Sequence, residues 1–369
     1  MNYLSLFLIA ALVVMPLSKS DDPSLKDHFQ ADFYIGAALN SGQVNGAEDG
    51  VNSLLSLHFN SISPENGLKW GPVHPKPDEY RFEFGDAYVK LGEKMNAFTV
   101  GHTLVWHQQT PEWVFQDEKG QALSQEKLIQ RMEEHIAIVV GRYKGRIDGW
   151  DVVNEAFEDD GAWRKTHWYN TTGKEFIKAA FRKANKIDPG AELYYNDYNV
   201  WIPAKRKAIL AMEEELREEG IRIDGIGMQG HYRVDSPSLG QIEQAILEIH
   251  AAGLQVMITE LDVDVLPRPG SAQGADLNVN YAQSAEWNPY PASLPPAVER
   301  QLVARYASLF RLFSKHSDKI SRVTFWGLHD GKSWLNNWPV RGRRNYPLLF
   351  DREKKLKPGF FEELEADQN

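Results

Sequence analysis

The chain has 369 residues, 42% of them hydrophobic and 25% charged. That is ordinary globular composition, and it excludes a disordered, collagen-like or multi-span membrane protein. Lys and Arg total 41 against 51 Asp and Glu, a net charge of -10, so nucleic acid is not expected as a partner. There is no cysteine, which excludes disulfides, Cys–Zn sites, Fe–S clusters, thiol catalysis and a lipoprotein anchor. The length suits two average domains or one large α/β barrel.

At the N-terminus, Leu4 to Leu17 is an apolar run broken only by Ser5 and Pro16. It is too short to span a bilayer comfortably but fits the core of an export signal. Ser18 and Ser20 put small residues at the two positions that a cleavage after Ser20 requires, although no Lys or Arg precedes the run. A buried helix is the competing reading. We expect residues 1–20 to be a signal peptide, 21–369 to be one domain, and the mature protein to be secreted or periplasmic. Asn170-Thr171-Thr172 is a glycosylation sequon, meaningful only in a eukaryotic host.

From Asp32 onward, short β-branched or aromatic runs alternate with helical patterns. The strand candidates are Phe33–Leu39, Phe59–Ser63, Ala97–Thr103, Gly149–Asn154, Glu192–Asn196, Gly225–Gly230, Gln255–Glu260 and Arg322–Gly327. Helical patterns include Ser124–Gly141, Gly173–Ile187, Pro203–Glu219, Leu239–Ala252 and Pro296–Lys315. Ser124 reads as an N-cap, Asp188-Pro189-Gly190 as a stop, and Gly220 and Gly253 as C-terminal glycines. Strand–helix alternation argues for a parallel sheet. Eight such units suggest a single closed (β/α)8 TIM barrel of the α/β class. The Gly-, Pro-, Asn- and Ser-rich stretch Pro267–Pro296 reads as a long loop on the active face, because a helix and the last strand follow it.

In such a barrel, catalytic groups project from the C-terminal ends of the strands. Those ends read Glu65-Asn66-Gly67-Leu68-Lys69-Trp70, Gly101-His102-Thr103-Leu104-Val105-Trp106-His107, Trp150-Asp151-Val152-Val153-Asn154-Glu155 and Tyr195-Asn196-Asp197-Tyr198-Asn199. Then come Gln229-Gly230-His231, Thr259-Glu260-Leu261-Asp262 and Phe325-Trp326-Gly327. So many polar groups at one rim would carry a desolvation cost in a purely structural barrel. A lone Glu at a strand end is ordinarily solvated or salt-bridged. Two of them, Glu155 after the fourth strand and Glu260 after the seventh, suit glycoside hydrolysis, where one carboxyl protonates the leaving oxygen and the other attacks or activates water. Trp70, Trp106, Trp326 and Trp334 lie at or near strand ends, where indole faces can stack on sugar rings; packing in the core is the alternative for each. Asp151, Glu158, Asp159 and Asp197 are further carboxylates near the rim. Glu65 is a possible third participant, and Lys69, four residues on, would pair with it and hold it ionised. His102 and His107 read as hydrogen-bonding groups, since nothing matches a zinc spacing.

These motifs resemble those of the family 10 glycoside hydrolases, the endo-β-1,4-xylanases. The resemblance runs from about Asp22 to Phe360, through seven strand-end motifs in order, with Trp150–Glu155 followed about 105 residues later by Ile258–Asp262. It implies a (β/α)8 barrel that cleaves xylan internally with retention. It also implies that Glu155 is the acid/base, that Glu260 is the nucleophile and that Asn154 binds the sugar 2-hydroxyl. His231 and Asp262 resemble the pair that orients the nucleophile and keeps it ionised. With carboxyls about 5–5.5 Å apart, the charge on Glu260 would keep Glu155 protonated until the glycosyl-enzyme forms. Glu65, Asn66, Lys69, His102, Trp106, Gln109, Gln229 and Trp326 match glycone-side positions; Trp334 would extend the aromatic wall, and Tyr198 would be an aglycone platform. Leu68 stands where the family often shows Met. The implied partners are xylan and xylo-oligosaccharides, with no cofactor, metal, nucleic acid or membrane, and a monomer is expected. No carbohydrate-binding module is visible, because the last helix is expected to end about nine residues before Asn369.

The competing readings are a barrel β-1,4-glucanase, a non-catalytic sugar-binding barrel, and a phosphate-binding barrel isomerase. The last would want a Gly-rich phosphate loop where this chain has the anionic Leu261-Asp262-Val263-Asp264.

Overall fold

Apolar runs that are buried along almost their whole length form the barrel strands, as expected where a parallel sheet is covered on both faces. They are β1 (Tyr34–Leu39), β2 (Ser61–Pro64), β3 (Phe98–Val105), β4 (Gly149–Asn154), β5 (Glu192–Asp197), β6 (Gly225–Met228), β8 (Gln255–Asp264) and β9 (Ile320–Phe325). β7 (His231–Arg233) is a short extra strand outside this ring. Neighbours pair in parallel around the circle: β6 reaches β8 and β9 returns to β1, so no edge is left open. The structure, a computed structural model, describes residues 24–270 and 281–366; the expected export signal falls outside them.

All eight expected strands are present, Gly149–Asn154 with the expected ends and the other seven with shifted ones. The largest difference is β8, which runs on to Asp264 instead of stopping at Glu260. Its outer end is held by β7, with His231 opposite Asp262 and Arg233 opposite Asp264. Gly230, at φ +83°, makes the break between β6 and β7.

Each strand is followed by a helix that buries one face against the barrel. The five helices read from sequence are Gln125–Arg142, Glu175–Ile187, Pro203–Glu218, Leu239–Ala251 and Pro296–Lys315. Ser124 caps the first through its side chain, accepting from the Lys127 amide. The other three are Val51–His58, Glu83–Met95 and the closing Phe360–Glu365, which carries the fold five residues past the expected end at Phe360. The segment before that last helix is tied to the loop after β9 by a buried Lys357–Asp330 pair at 2.6 Å.

The loop expected over Pro267–Pro296 is described except for residues 271–280. Tyr281 bridges Val340, and the Tyr346 hydroxyl donates to the Tyr290 carbonyl at 2.7 Å, so this loop packs on the segment after β9. Among the described residues no helix is long and apolar enough to cross a membrane.

Candidate active site

Glu155 and Glu260 both stand at the carboxyl-end rim. Glu155 follows the last residue of β4, and its amide donates to the Asn196 carbonyl at 2.9 Å. Glu260 sits within β8, and its amide donates to the Gln229 carbonyl at 2.7 Å. Both side chains line a cleft together with Lys69, His102, Trp106, Asn154, Gln229, His231, Trp326 and Trp334.

One chain of side-chain hydrogen bonds joins the two carboxyls. Gln229 Nε2 donates to Glu155 Oε1 at 2.9 Å and lies 3.4 Å from Asn154 Oδ1. Asn196 Nδ2 donates to Asn154 Oδ1 at 2.9 Å and to Glu260 Oε1 at 2.8 Å. The Thr259 hydroxyl donates to Asn196 Oδ1 at 2.6 Å, which fixes that amide's orientation. The other Glu155 oxygen accepts from the Trp106 indole N–H at 2.9 Å. Asn196 was not singled out from the sequence as a site residue. The signal was its place at the end of β5, level with Asn154 on β4.

The pairing of β7 with β8 sets His231 against both acidic residues of the second motif. His231 Nε2 is 3.3 Å from Glu260 Oε2, and Nδ1 is 3.1 Å from Asp262 Oδ1. Burial works against a charge on the ring, but Asp262 and Glu260 outweigh it and push the His231 pKa up to about 10. Burial likewise opposes ionisation of Glu260. The hydrogen bond from His231 and the positive charge of His231 and Lys69 help to overcome it, and its carboxyl stays below the ordinary range. Asp262 also accepts from the Trp334 indole N–H at 2.7 Å, which ties the aromatic wall to this relay.

A pH dependence follows. The His231 pKa lies above its ordinary 6.5, so its ion pairing stabilises the fold fully below pH 6.5 and fades as the pH rises through about 10. His231→Gln is expected to lower stability by about 3 kcal/mol at pH 6, with the deficit shrinking towards pH 10. Denaturant unfolding of both proteins at the two pH values checks this; a deficit that does not change with pH would refute it. The same variant should move the acidic limb of kcat/KM to higher pH, because Glu260 loses the donor that holds it ionised.

Lys69 Nζ lies 4.6 Å from the Trp106 ring centroid and 5.9 Å from that of Trp326, between the two aromatic walls. Burial depresses its pKa, although Glu260, Glu65 and Glu155 all pull the other way. The expected Lys69–Glu65 pair needs correction. Lys69 Nζ donates instead to Asn66 Oδ1 at 2.9 Å, and burial raises the Glu65 pKa with only partial compensation from Lys69. Gln109 Nε2 also donates to Asn66 Oδ1, at 3.2 Å, so Asn66, Lys69 and Gln109 form one polar group beside the cleft.

Other rim residues have structural partners. His102 Nδ1 is 2.9 Å from Asp151 Oδ2, so Asp151 points inward and orients that ring. Asp197 is buried against Lys205 at 2.8 Å, and Asp159 meets Asn199 and Lys205. Glu158 is 3.3 Å from Arg164. Of the two readings open for Trp70, it takes the core one: it is 2% exposed and stacks on His135 with ring centroids 3.7 Å apart. Tyr198 is also buried, with Lys205 Nζ 3.7 Å from its ring centroid and its hydroxyl accepting from Arg164 at 2.6 Å. A platform role for Tyr198 therefore rests on the resemblance alone.

A closed parallel barrel with two carboxyls and an indole-walled polar cleft at its carboxyl-end rim defines a barrel glycoside hydrolase. The model described as Glycosyl hydrolase family 10 matches residues 24–366, and the chain belongs to that family. Endo-1,4-beta-xylanase A of Xylanibacter ruminicola is 44% identical over 349 residues, covering 94% of this chain and 95% of its own. An endo-1,4-beta-xylanase of Geobacillus stearothermophilus is 41% identical, over 93% of this chain and 98% of its own. A solved endoxylanase of the family, retrieved from a sugarcane soil metagenome, superposes with a TM-score of 0.88 at 44% identity, covering 94% of this chain and 99% of that one.

Proposed function

We infer that this protein is an endo-acting, retaining 1,4-β-xylanase that cleaves internal xylosidic bonds of xylan through a covalent glycosyl-enzyme. The observation that carries this reading is the pair of buried carboxyls, Glu155 and Glu260, held in one hydrogen-bonded chain inside an indole-walled cleft.

Glu260 suits the nucleophile. A nucleophilic carboxylate must be ionised in a site that excludes water, and His231 and Lys69 supply the compensating charge. Glu155 suits the acid/base on the other side of the bond. It delivers a proton to the departing oxygen and later takes one from the water that releases the sugar, as double displacement requires. Asn154, beside Glu155 and bonded to Asn196, is placed to grip the 2-hydroxyl of the reacting sugar, a contact that strengthens in an oxocarbenium-like transition state. Asn66, Lys69, Gln109 and Glu65 offer donors and acceptors for the hydroxyls of the next xylose, and Trp106, Trp326 and Trp334 offer ring faces.

The test is twofold. Initial rates on xylan should exceed those on carboxymethyl cellulose, and NMR of the first-formed oligosaccharides should show the β-anomer. Faster cellulose cleavage would favour the glucanase, and an initial α-anomer would overturn the double displacement. The Leu4–Leu17 run and the Ser18 and Ser20 positions support export of the enzyme to meet this polymeric substrate.

A further inference from the structure

Glu155 adopts φ +58°, the left-handed region that residues with a Cβ seldom occupy. Such a conformation persists only where the surroundings over-determine it. The amide and carbonyl groups of Glu155 and Ala156 are all held. The Glu155 amide donates to the Asn196 carbonyl at 2.9 Å, and the Ala156 amide donates to the Tyr195 hydroxyl at 2.8 Å. The remaining ties come from one residue nine positions downstream. The Arg164 amide donates to the Ala156 carbonyl at 2.8 Å, which closes a hairpin in which Phe157 bridges Trp163. Its side chain then turns back: Nε donates to the Glu155 carbonyl at 3.0 Å, and Nη2 donates to the Phe157 carbonyl at 3.1 Å and to the Tyr198 hydroxyl at 2.6 Å. The fourth contact is Nη1 to Glu158 at 3.3 Å.

We propose that Arg164 is a positioning residue that sets the aim of the acid/base, clamping the backbone on both sides of Ala156 and tying it to Tyr198. The proposal rests on the acid/base reading of Glu155. Arg164 makes no hydrogen bond to the Glu155 carboxyl, which accepts from Trp106 and Gln229. Its charge also interacts with Glu155, but its hydrogen bonds run to the main chain and to Tyr198, and planar fork geometry is what the task demands. A lysine ammonium carries the same charge but cannot reach two carbonyls and a phenol from one rigid plane. The hairpin tip is fastened without Arg164. Asp159 accepts from Asn199 at 3.0 Å and lies 3.3 Å from Lys205, while Gly161, at φ +85°, packs so closely that a Cβ there would fall 2.7 Å from the Ala204 carbonyl. Loss of the clamp should thus misdirect Glu155 without unfolding the loop.

The test compares Arg164→Lys, Arg164→Met and Tyr198→Phe with the parent enzyme and with Glu155→Ala. Two substrates are used: xylotetraose, whose leaving group needs a proton, and a 2,4-dinitrophenyl xylobioside, whose leaving group does not. Both Arg164 variants are expected to lose about 10- to 100-fold in kcat/KM on xylotetraose and less than about 3-fold on the aryl glycoside. Tyr198→Phe, which keeps the ring and removes one acceptor, should show the same bias at about 2- to 5-fold. Equal losses on both substrates would mean a structural role only and overturn the proposal. Full activity of Arg164→Lys would overturn it as well, because charge alone would then suffice. Glu155→Ala separates the two levels of inference. If that variant itself shows no bias between the substrates, the acid/base reading fails. If it shows the bias and the Arg164 variants do not, only the clamp fails.

Discussion

Glu260→Ala should reduce xylan hydrolysis by on the order of 10⁴-fold or more, the largest effect of any single substitution in this protein. No neighbouring group can take over the attack. The Asp262 carboxylate is occupied by His231 at one oxygen and by the Trp334 indole at the other, and both contacts hold it away from the cleft face that Glu260 presents. Asn196, which donates to Glu260 Oε1 at 2.8 Å, is an amide and no nucleophile. The variant should fold, because truncation leaves space in a cleft and not in the packed barrel interior. A small anion is expected to enter that space and do what the carboxylate did, once. With azide and a β-xylobiosyl fluoride, attack comes from the α-face and cannot be followed by a second displacement, so the product should be the α-glycosyl azide. NMR of that product and kcat/KM on xylan check the two halves of the expectation. Undiminished hydrolysis would remove Glu260 from the mechanism, and a β-azide would place it on the wrong face.

The sequence carried the barrel because strand signals in a fully covered parallel sheet are strong: runs such as Val256-Met257-Ile258 are apolar on both faces. The Glu83–Met95 helix was harder to see. It has no capping side chain at Phe82, and two glycines, Gly85 and Gly92, weaken its helical pattern. Both are demanded by packing: a Cβ at Gly92 would lie 2.2 Å from Thr99 Oγ1, and one at Gly85 would lie 2.1 Å from the Tyr143 hydroxyl. The rim motifs could be read one by one, because each ends its own strand. What joins them could not. Asn196 is 64 positions from Glu260 and 42 from Asn154, and the amide comes between them only through the register of β5 against β4 on one side and, by way of β6, against β8 on the other. Local spacing also misled. The i,i+4 relation of Glu65 and Lys69 pairs charges on a helix, but here the chain leaves β2 through a turn, and the ammonium swings to Asn66. Trp70, next in sequence to a cleft lysine, faces the core for the same reason: it opens a short helix at 70–73 whose indole packs on His135.

Glu155→Ala should divide substrates by the basicity of their leaving groups. On xylan, where the departing oxygen belongs to a sugar, kcat/KM is expected to fall by about 10²- to 10⁴-fold, the usual worth of general acid catalysis. On a dinitrophenyl xylobioside the first step needs no proton, so its kcat/KM should stay within about 10-fold of the parent. Release of the sugar, however, still needs a base. The glycosyl-enzyme on Glu260 should therefore accumulate, and kcat and KM should fall together, which an initial burst of dinitrophenolate would reveal. Azide offers a second check. Removing the Glu155 carboxyl leaves the Trp106 and Gln229 donors, formerly 2.9 Å from its two oxygens, facing an anion-sized gap on the β-side of the sugar. Azide bound there needs no deprotonation, so it should restore kcat and yield the β-glycosyl azide, the opposite anomer from the Glu260→Ala product. Those two anomers assign the faces of the bond to the two glutamates independently of any rate. Equal losses on xylan and on the aryl glycoside would deny Glu155 the proton transfer, and an α-azide from this variant would exchange the roles assigned here.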